Sequence, residues 1–205
     1  MIEKTVHNGH LIEYLDETHQ YLVDGILVKS VSEILHKYIF KDKYKGIPEN
    51  ILKAKAIYGS EVHKAIEDIE NNREYETTSI YQELSIEQYI KLKKEYNIQV
   101  LEQEKIVCYK GIYAGRFDMT ANVNNEVSLI DIKTTAQLDL EYLSWQLSLY
   151  ELAYGKRFKK IYALWLPKKG LGQLVEIKRK SKKEIEKLLK EIENDTVKKR
   201  RYSKS

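Results

Sequence analysis

The chain has 205 residues and a formal net charge of +4 at pH 7, which fits one domain with a sizeable core and is short for two. Its one cysteine, Cys108, excludes an intramolecular disulfide, a four-cysteine zinc site and a four-cysteine iron–sulfur cluster. Because no apolar run approaches the roughly 20 residues of a membrane span, and the N-terminus lacks a signal-peptide pattern, we expect a soluble intracellular protein with no membrane partner.

Positive charge is concentrated towards the C-terminus. Five basic residues between positions 198 and 204 contribute a charge of +5, so the rest of the chain has a net charge of −1. Eleven Lys or Arg residues lie between Lys156 and Lys183, against the single acid Glu176. Such a region attracts phosphate backbones, although an abundance of solvated surface lysines explains it equally well.

The first half of the chain predicts a β-region followed by helices. Alternation over residues 11–28, around the turn pair Asp24-Gly25, predicts a β-hairpin. Ser30-Val-Ser-Glu33 has the form of a helix capping box. A longer helix is predicted after Pro48, running to about residue 69, because Val62, Ala65, Ile66 and Ile69 form an apolar stripe. A second helix is predicted over residues 85–96.

Three strands come next, over residues 100–109, 113–123 and 127–133. Asn124-Asn125 forms the turn between the last two strands, which places Asp118 and Asp131 on neighbouring strands. A helix is predicted over 140–154, strands over 161–166 and 174–177, a last helix over 181–193, and a basic, disordered tail from about 197 to 205. This order predicts a single α/β domain over residues 1–205, with a central mixed β-sheet flanked by helices and an N-terminal β-hairpin.

The strand over residues 127–133 ends in two charges. Alternate residues share a strand face, so Asp131 and Lys133 point one way while Ile130 and Ile132 point into the core behind them. Charges at the end of a buried strand indicate contact with a metal, a phosphate or each other, since unpaired burial is costly. The same acid-x-Lys pattern recurs at Glu176-Ile-Lys178, so the tripeptide needs the support of its surroundings.

Two predicted helices carry polar side chains that can face this strand end. His63 lies at the margin of the apolar stripe, and a lone histidine there is explained by a hydrogen bond to a carbonyl. The two aspartates favour a role as metal ligand instead. Gln146 lies in an otherwise apolar or aromatic stripe, where it either ties the backbone together or, with Tyr150 one turn later, holds a phosphate or a metal-bound water.

Three further residues are candidates for the site, and two of them have two interpretations. Arg116 shares a strand face with Asp118, and its guanidinium suits a phosphate of the substrate or a structural carboxylate. Glu104, on the preceding strand, either reaches the site or is an ordinary sheet-face acid. Glu67, four residues after His63, is a second possible additional acid.

In chain order, these residues form a set that resembles a known superfamily. Gly59-x-x-x-His63, Gly115-Arg-Phe-Asp118, Asp131-Ile-Lys133 and Gln146-x-x-x-Tyr150 are similar to the motifs of the PD-(D/E)XK nucleases. The branch they most resemble is the RecB-like and phage exonuclease group, with its lambda- and RecE-type members, and residues 19–32 resemble the start of phage-encoded members. The resemblance covers residues 11–150, with Phe117 in place of the proline of the superfamily name.

The resemblance implies a restriction-endonuclease-like core and a deoxyribonuclease that uses one or two Mg²⁺ or Mn²⁺ ions. It implies a phage-type exonuclease of recombination, replication or repair, in the cytoplasm of a bacterial or phage-infected cell. DNA is the implied substrate, a single-strand annealing or recombination protein a possible partner, and a homo-oligomer a possible assembly. The implied metal ligands are His63, Asp118, Asp131 and the carbonyl of Ile132, which suit these ions as oxygen and imidazole donors.

The remaining roles concern catalysis and substrate binding. Lys133 would orient the metal-bound water beside the catalytic carboxylates Asp118 and Asp131, and Gln146, Tyr150 and Arg116 would position the DNA. A structure-specific endonuclease with the same fold is an alternative. A His/Asp metallophosphohydrolase is disfavoured because His63 is followed by Lys64. A non-catalytic DNA-binding module would have no need to keep both aspartates and the lysine.

Overall fold

The N-terminal region of the computed structural model, which describes the backbone of residues 2–202 and the side chains of residues 2–195, is a four-stranded antiparallel meander. Its strands are β1 (Ile2–His7), β2 (His10–Leu15), β3 (Gln20–Val23) and β4 (Ile26–Ser30). The turns Asn8-Gly9 and Asp24-Gly25 have positive φ at both positions, as type I′ hairpins require. The meander therefore contains the predicted hairpin and adds β1 to it.

Two long helices follow the meander. Ser30 and Glu33 form the predicted capping box and open α1 (Val31–Ile34), which continues into a π-helical turn over Leu35–Ile39. After Pro48 comes α2 (Glu49–Glu70), as predicted. The next helix, α3 (Ile80–Glu95), begins five residues earlier than predicted, because the Ser79 side chain accepts a hydrogen bond from the N–H of Gln82 and caps it.

The remaining elements complete the sheet and its covering helices. The strands are β5 (Gln99–Tyr109), β6 (Tyr113–Val123), β7 (Glu126–Lys133), β8 (Lys160–Trp165) and β9 (Gln173–Glu176), and the helices are α4 (Leu140–Tyr154) and α5 (Lys182–Tyr202). Helix α5 thus includes backbone of the segment predicted to be a disordered tail. Residues 203–205 of that segment lie outside the described residues. No helix within 2–202 is long and apolar enough to span a bilayer.

The sheet is mixed, as the sequence predicted. Its strand order is β1-β2-β3-β4-β6-β7-β8-β9, with β5 paired to the other edge of β6. The β4–β6 and β7–β8 pairs are parallel and the remaining pairs are antiparallel. Helices cover both faces: Leu129 of β7 packs in the core beneath α4 and α5, whereas its neighbour Ile130 packs beneath α2 and α3.

A gap in one edge of β6 positions the candidate site. Since β5 occupies one edge along the whole strand, β4 and β7 share the other. Strand β4 pairs only with Tyr113 and Ala114, and the β6–β7 ladder ends at the pair Met119–Ile130. Residues 115–118 of β6 therefore face an opening between the two neighbouring strands, and Asp118 stands at its rim.

Candidate active site

Asp118 and Ile132 close the rim of this opening. The Asp118 Oδ2 atom accepts a hydrogen bond of 2.5 Å from the main-chain N–H of Ile132. In a strand, the N–H and C=O of one residue point to the same edge, so the Ile132 carbonyl also faces the opening. The side chain of Asp118 thus bonds to β7 just beyond the end of the regular ladder. This contact brings a carboxylate and a carbonyl oxygen together.

His63 reaches the same two residues from α2. Its Nε2 atom lies 3.2 Å from the Ile132 carbonyl oxygen, and its Nδ1 atom lies 3.5 Å from Asp118 Oδ1. The hydrogen bond to a carbonyl, which the sequence offered as the structural explanation of this histidine, is therefore made to an expected metal ligand. The hydrogen bond to a carbonyl and the expected role as metal ligand therefore both place His63 beside Ile132.

Glu104 completes a cluster with metal-ligand geometry. Ligand atoms of His63, Glu104 and Asp118 all lie within 4.8 Å of one another. The register of β5 with β6 puts Glu104 opposite Asp118, and Glu104 has a φ of +47°, a left-handed backbone that non-glycine residues adopt at a cost. Of the two readings left open for Glu104, the structure favours the one in which it reaches the site.

Asp131 and Lys133 form a buried ion pair beside this cluster. Lys133 Nζ lies 2.5 Å from Asp131 Oδ2, and the Asp131 side chain is only 3% exposed. Ile130 and Ile132 point into the opposite core, as predicted from strand alternation. The carboxylate of Asp131, expected as a metal ligand, lies outside the cluster of His63, Glu104 and Asp118 and pairs with Lys133.

Helix α4 presents its polar residues beside the same strand end. Gln146 is 92% buried, and its Oε1 atom has no hydrogen-bond partner among the described residues. The Tyr150 ring packs closely against Gly115, where an added Cβ atom would come within 2.7 Å of a ring carbon. Tyr142, one turn before Gln146, was missed by the sequence analysis, although its spacing of four residues was the available signal. Burial raises the pKa of Tyr142, and Lys133 lies close enough to act on it.

Two of the predicted residues are engaged by protein partners. Arg116 forms an ion pair with Glu3 of β1 and lies 4.3 Å from the ring centroid of Tyr14, and its Nη1 atom is 3.9 Å from Glu104. Of the two interpretations of Arg116, the structure therefore shows the pairing with a carboxylate of the protein. Glu67 pairs with Lys64 and Arg73 at 3.3 Å and 2.8 Å, at the edge of the site rather than within the cluster.

Two carboxyl groups of the site have raised pKa values. Burial raises the pKa of Asp131 to about 6, with Asp118 adding to the rise and Lys133 opposing it. Burial and then Asp118 raise the pKa of Glu104 to about 7, against His63 and Arg116. Burial is the largest cause of both rises, and the Asp118 carboxylate adds to each.

The pKa values of Asp118, His63 and Lys133 shift in the direction that favours their ionised forms. Burial alone would raise the pKa of Asp118, but His63, Lys133 and the Ile132 N–H outweigh it and lower that pKa. Burial opposes the charged forms of His63 and Lys133, yet Asp118 raises the pKa of His63, and Asp131 and Asp118 raise the pKa of Lys133. Asp118 is thus the carboxylate that stays ionised.

The donor set fits a hard divalent cation. Carboxylate and carbonyl oxygens with one imidazole suit Mg²⁺ or Mn²⁺, and the cysteine thiolates that softer metals prefer are absent from the cluster. A divalent cation would also favour the ionised forms of Asp131 and Glu104, whose pKa values burial raises. The residues present therefore fit the metal that the sequence resemblance implies.

Comparison with known proteins gives only distant likenesses. No protein-family model matches the chain, and no curated protein matches it. The crystal structure of SSO0001 is similar with a TM-score of 0.48 and 17% identity, over 83% of this chain and 74% of that one. The crystal structure of an alkaline exonuclease from Laribacter hongkongensis is similar with a TM-score of 0.47 and 14% identity, over 86% of this chain and 91% of that one. With TM-scores below 0.5, neither likeness assigns a family or an activity to this chain.

Proposed function

We propose that this protein is a divalent-metal-dependent deoxyribonuclease that hydrolyses phosphodiester bonds. The observation that carries the proposal is the convergence of His63, Glu104, Asp118 and the Ile132 carbonyl at the opening of the sheet, with the Asp131–Lys133 pair beside them. Oxygen-rich metal sites next to a partly buried lysine provide what phosphodiester hydrolysis needs, namely an activated water and a fixed positive charge.

The roles of the residues follow from their contacts. Asp118, Glu104, His63 and the Ile132 carbonyl would hold Mg²⁺ or Mn²⁺, with Asp131 as the adjoining carboxylate. When bound, the ion supplies a water of lowered pKa and a Lewis acid for the phosphate oxygens. Lys133, held by Asp131, orients the attacking water and stabilises negative charge that develops on the phosphate.

Helix α4 would orient the substrate. The amide of Gln146 keeps an unused acceptor, and its NH₂ group can donate to a phosphate oxygen or a metal-bound water. Tyr150 fixes the position of the helix against Gly115 of β6. Arg116 already forms an ion pair with Glu3. To bind DNA, it would have to exchange that carboxylate for a phosphate.

We infer from the ordered motifs that the enzyme is an exonuclease of the phage type, acting on DNA in recombination, replication or repair. A homo-oligomer and a single-strand annealing partner belong to the same proposal. A structure-specific endonuclease with the same site is the second candidate, because an identical metal centre serves both reactions. Digestion of linear against covalently closed circular DNA separates them, since an exonuclease requires an end.

The test of the main proposal is hydrolysis of a labelled linear duplex in Mg²⁺, Mn²⁺ or EDTA. We expect activity with either ion, none in EDTA, and losses of at least about 1,000-fold in Asp118→Asn and Lys133→Ala. Lys178→Ala, in the second acid-x-Lys sequence, is the matched control and should keep full activity. Hydrolysis that persists in EDTA, or in both site variants, would overturn the proposal. DNA binding without hydrolysis in any divalent metal would instead favour a non-catalytic module.

A further inference from the structure

Trp165, the last residue of β8, is a large apolar side chain that the core does not use. Its neighbours on the strand are core residues: Ile161 and Ala163 pack beneath α4, and Leu164 packs beneath α2 and α3. Trp165 is only partly buried and packs in none of the three apolar clusters formed by the described residues. Its place in the sheet is therefore not explained by the hydrophobic core.

The position of Trp165 is beside the candidate catalytic lysine. In the parallel pairing of β7 with β8, Trp165 is the register partner of Lys133. Directly paired residues present their side chains on the same face of a sheet, so the side chains of Trp165 and Lys133 leave the sheet next to each other. The indole N–H donates a 2.7 Å hydrogen bond to the carbonyl of Thr135, in the loop that follows Lys133. This bond fixes the ring while leaving part of it open to solvent.

A second exposed ring lies near the same lysine. Tyr44, in the segment between the π-helical turn and α2, is 44% exposed and contacts His36 edge to face at 5.0 Å. Burial raises the pKa of Tyr44, and Lys133 opposes that rise, which places the phenol within electrostatic reach of the ammonium. Two partly exposed aromatic rings on separate segments therefore lie on the side of the site that carries Lys133.

We propose that the nucleic acid reaches Lys133 as an unpaired strand, and that one of its bases stacks on the indole of Trp165. Stacking on aromatic side chains holds single strands without regard to sequence, because every base has a π-face. A base inside a duplex is already stacked on both sides and paired, so it cannot cover the indole. This inference rests on the proposed nuclease function and adds that the strand is unpaired where it meets the site.

The direct test uses fluorescence, because the chain has only two tryptophans. Trp145 is 93% buried and packs in the core beneath α4, so it should not sense a bound base. Titration with oligothymidylate in EDTA, which prevents hydrolysis, should quench wild-type protein and Trp145→Phe. It should leave Trp165→Phe unquenched. A relaxed, covalently closed circular duplex, which has neither a free end nor unpaired bases, should quench none of the three.

Affinity provides a second measurement. With a labelled oligothymidylate, Trp165→Ala should bind roughly 10-fold to 100-fold more weakly than wild type, while Trp165→Phe keeps a ring and loses less. The rise in melting temperature caused by Mn²⁺ should be unchanged in Trp165→Phe, which shows that the metal site is intact. If Trp165→Ala does not fold, Trp165→Leu replaces it as the variant without a ring.

The outcomes separate this inference from the proposed function. Equal quenching of wild type and Trp165→Phe, or wild-type affinity in a folded variant without the ring, overturns the stacking inference even if the enzyme hydrolyses DNA. Quenching that depends on Trp165, in a protein that hydrolyses no DNA with any divalent metal, overturns the nuclease proposal and supports stacking. Equal quenching by the closed circular duplex overturns the requirement for an unpaired strand.

Discussion

Asp118 and Ile132 are joined by a hydrogen bond from main chain to side chain at the point where β6 and β7 separate. The last ladder pair, Met119–Ile130, lies one residue after Asp118 and two residues before Ile132. The Asp118 carboxylate therefore makes the contact between the strands beyond the ladder, and its other oxygen faces the imidazole of His63. The proposed metal site depends on this arrangement. Replacement of Asp118 is accordingly the first test of the geometry.

Asp118→Asn should separate folding from metal binding. The asparagine carbonyl can still accept the hydrogen bond from Ile132, so we expect the variant to fold. In wild type, Mn²⁺ at 100 times its dissociation constant should stabilise the protein by about 2.7 kcal/mol. Most of this gain should be absent in the variant, as measured by urea unfolding with and without Mn²⁺. A full gain in Asp118→Asn would show that Asp118 is not a ligand.

Glu104→Gln should stabilise the metal-free protein at alkaline pH. The pKa of Glu104 is raised to about 7 from its ordinary 4.5, so the folded state binds more protons than the unfolded state between these values. The wild-type free energy of unfolding therefore falls as pH rises through this window. Glutamine carries no charge at any pH, so the melting temperature of the variant in EDTA should exceed that of wild type at pH 8. The difference should vanish below pH 4.5.

Metal binding should strengthen with pH for the same reason. Asp131 and Glu104 have pKa values of about 6 and about 7, and each must lose its proton before it can face a divalent cation favourably. We expect the Mn²⁺-induced rise in melting temperature to be larger at pH 8 than at pH 6. Calorimetric titrations in two buffers of different ionisation enthalpy should show proton release at pH 6 and little at pH 8. Metal binding that is independent of pH across this range would contradict the assignment of both acids.

Lys133→Ala should lower stability as well as activity, because it leaves the buried carboxylate of Asp131 without its charged partner. Breaking a fully buried pair costs roughly 3–5 kcal/mol, and the 24% exposure of the Lys133 side chain reduces our expectation to about 2 kcal/mol. The double variant Asp131→Asn/Lys133→Ala should recover part of that loss, since no charge is then left alone. Chemical denaturation of both single variants and the double variant measures the coupling.

Gly115→Ala should disturb the packing of α4 on β6. An added Cβ would lie 2.7 Å from a Tyr150 ring carbon and 3.1 Å from a Val31 methyl group, closer than van der Waals contact permits. Overpacking of this kind costs about 1–3 kcal/mol. We expect a matching fall in the urea midpoint and a loss of activity through displacement of Tyr150. In the Tyr150→Leu background, where the ring is absent, the same Gly115→Ala change should cost markedly less.

The sequence allowed most of the site to be predicted, because its residues follow local rules. Strand alternation predicted that Asp131 and Lys133 face away from Ile132, and the Asn124-Asn125 turn predicted that Asp118 lies on the neighbouring strand. The spacing of four residues between Gln146 and Tyr150 predicted a shared helix face. Each of these depends on contacts within about 30 residues of chain, where periodicity is informative.

The parts that could not be predicted depend on tertiary geometry. The approach of Glu104 to His63 requires a left-handed residue within β5, a conformation that sequence patterns do not favour for glutamate. The pairing of Arg116 with Glu3 joins residues 113 positions apart. Strand β1 was missed for a different reason: the Asn8-Gly9 turn signal was present, but the strand is largely exposed and lacks clear alternation.

The limited pairing between the N-terminal meander and β6 has a consequence for the order of folding. The meander is built from hairpins between successive strands, whereas only two backbone pairs join β4 to β6, and the His63–Ile132 contact spans 69 residues. Short-range hairpins close in microseconds, but contacts of long sequence separation must first overcome the entropy of closing a large loop. The meander should therefore form early and the opening between β4 and β7 late, so that the ligands come together only after both halves of the sheet are in place.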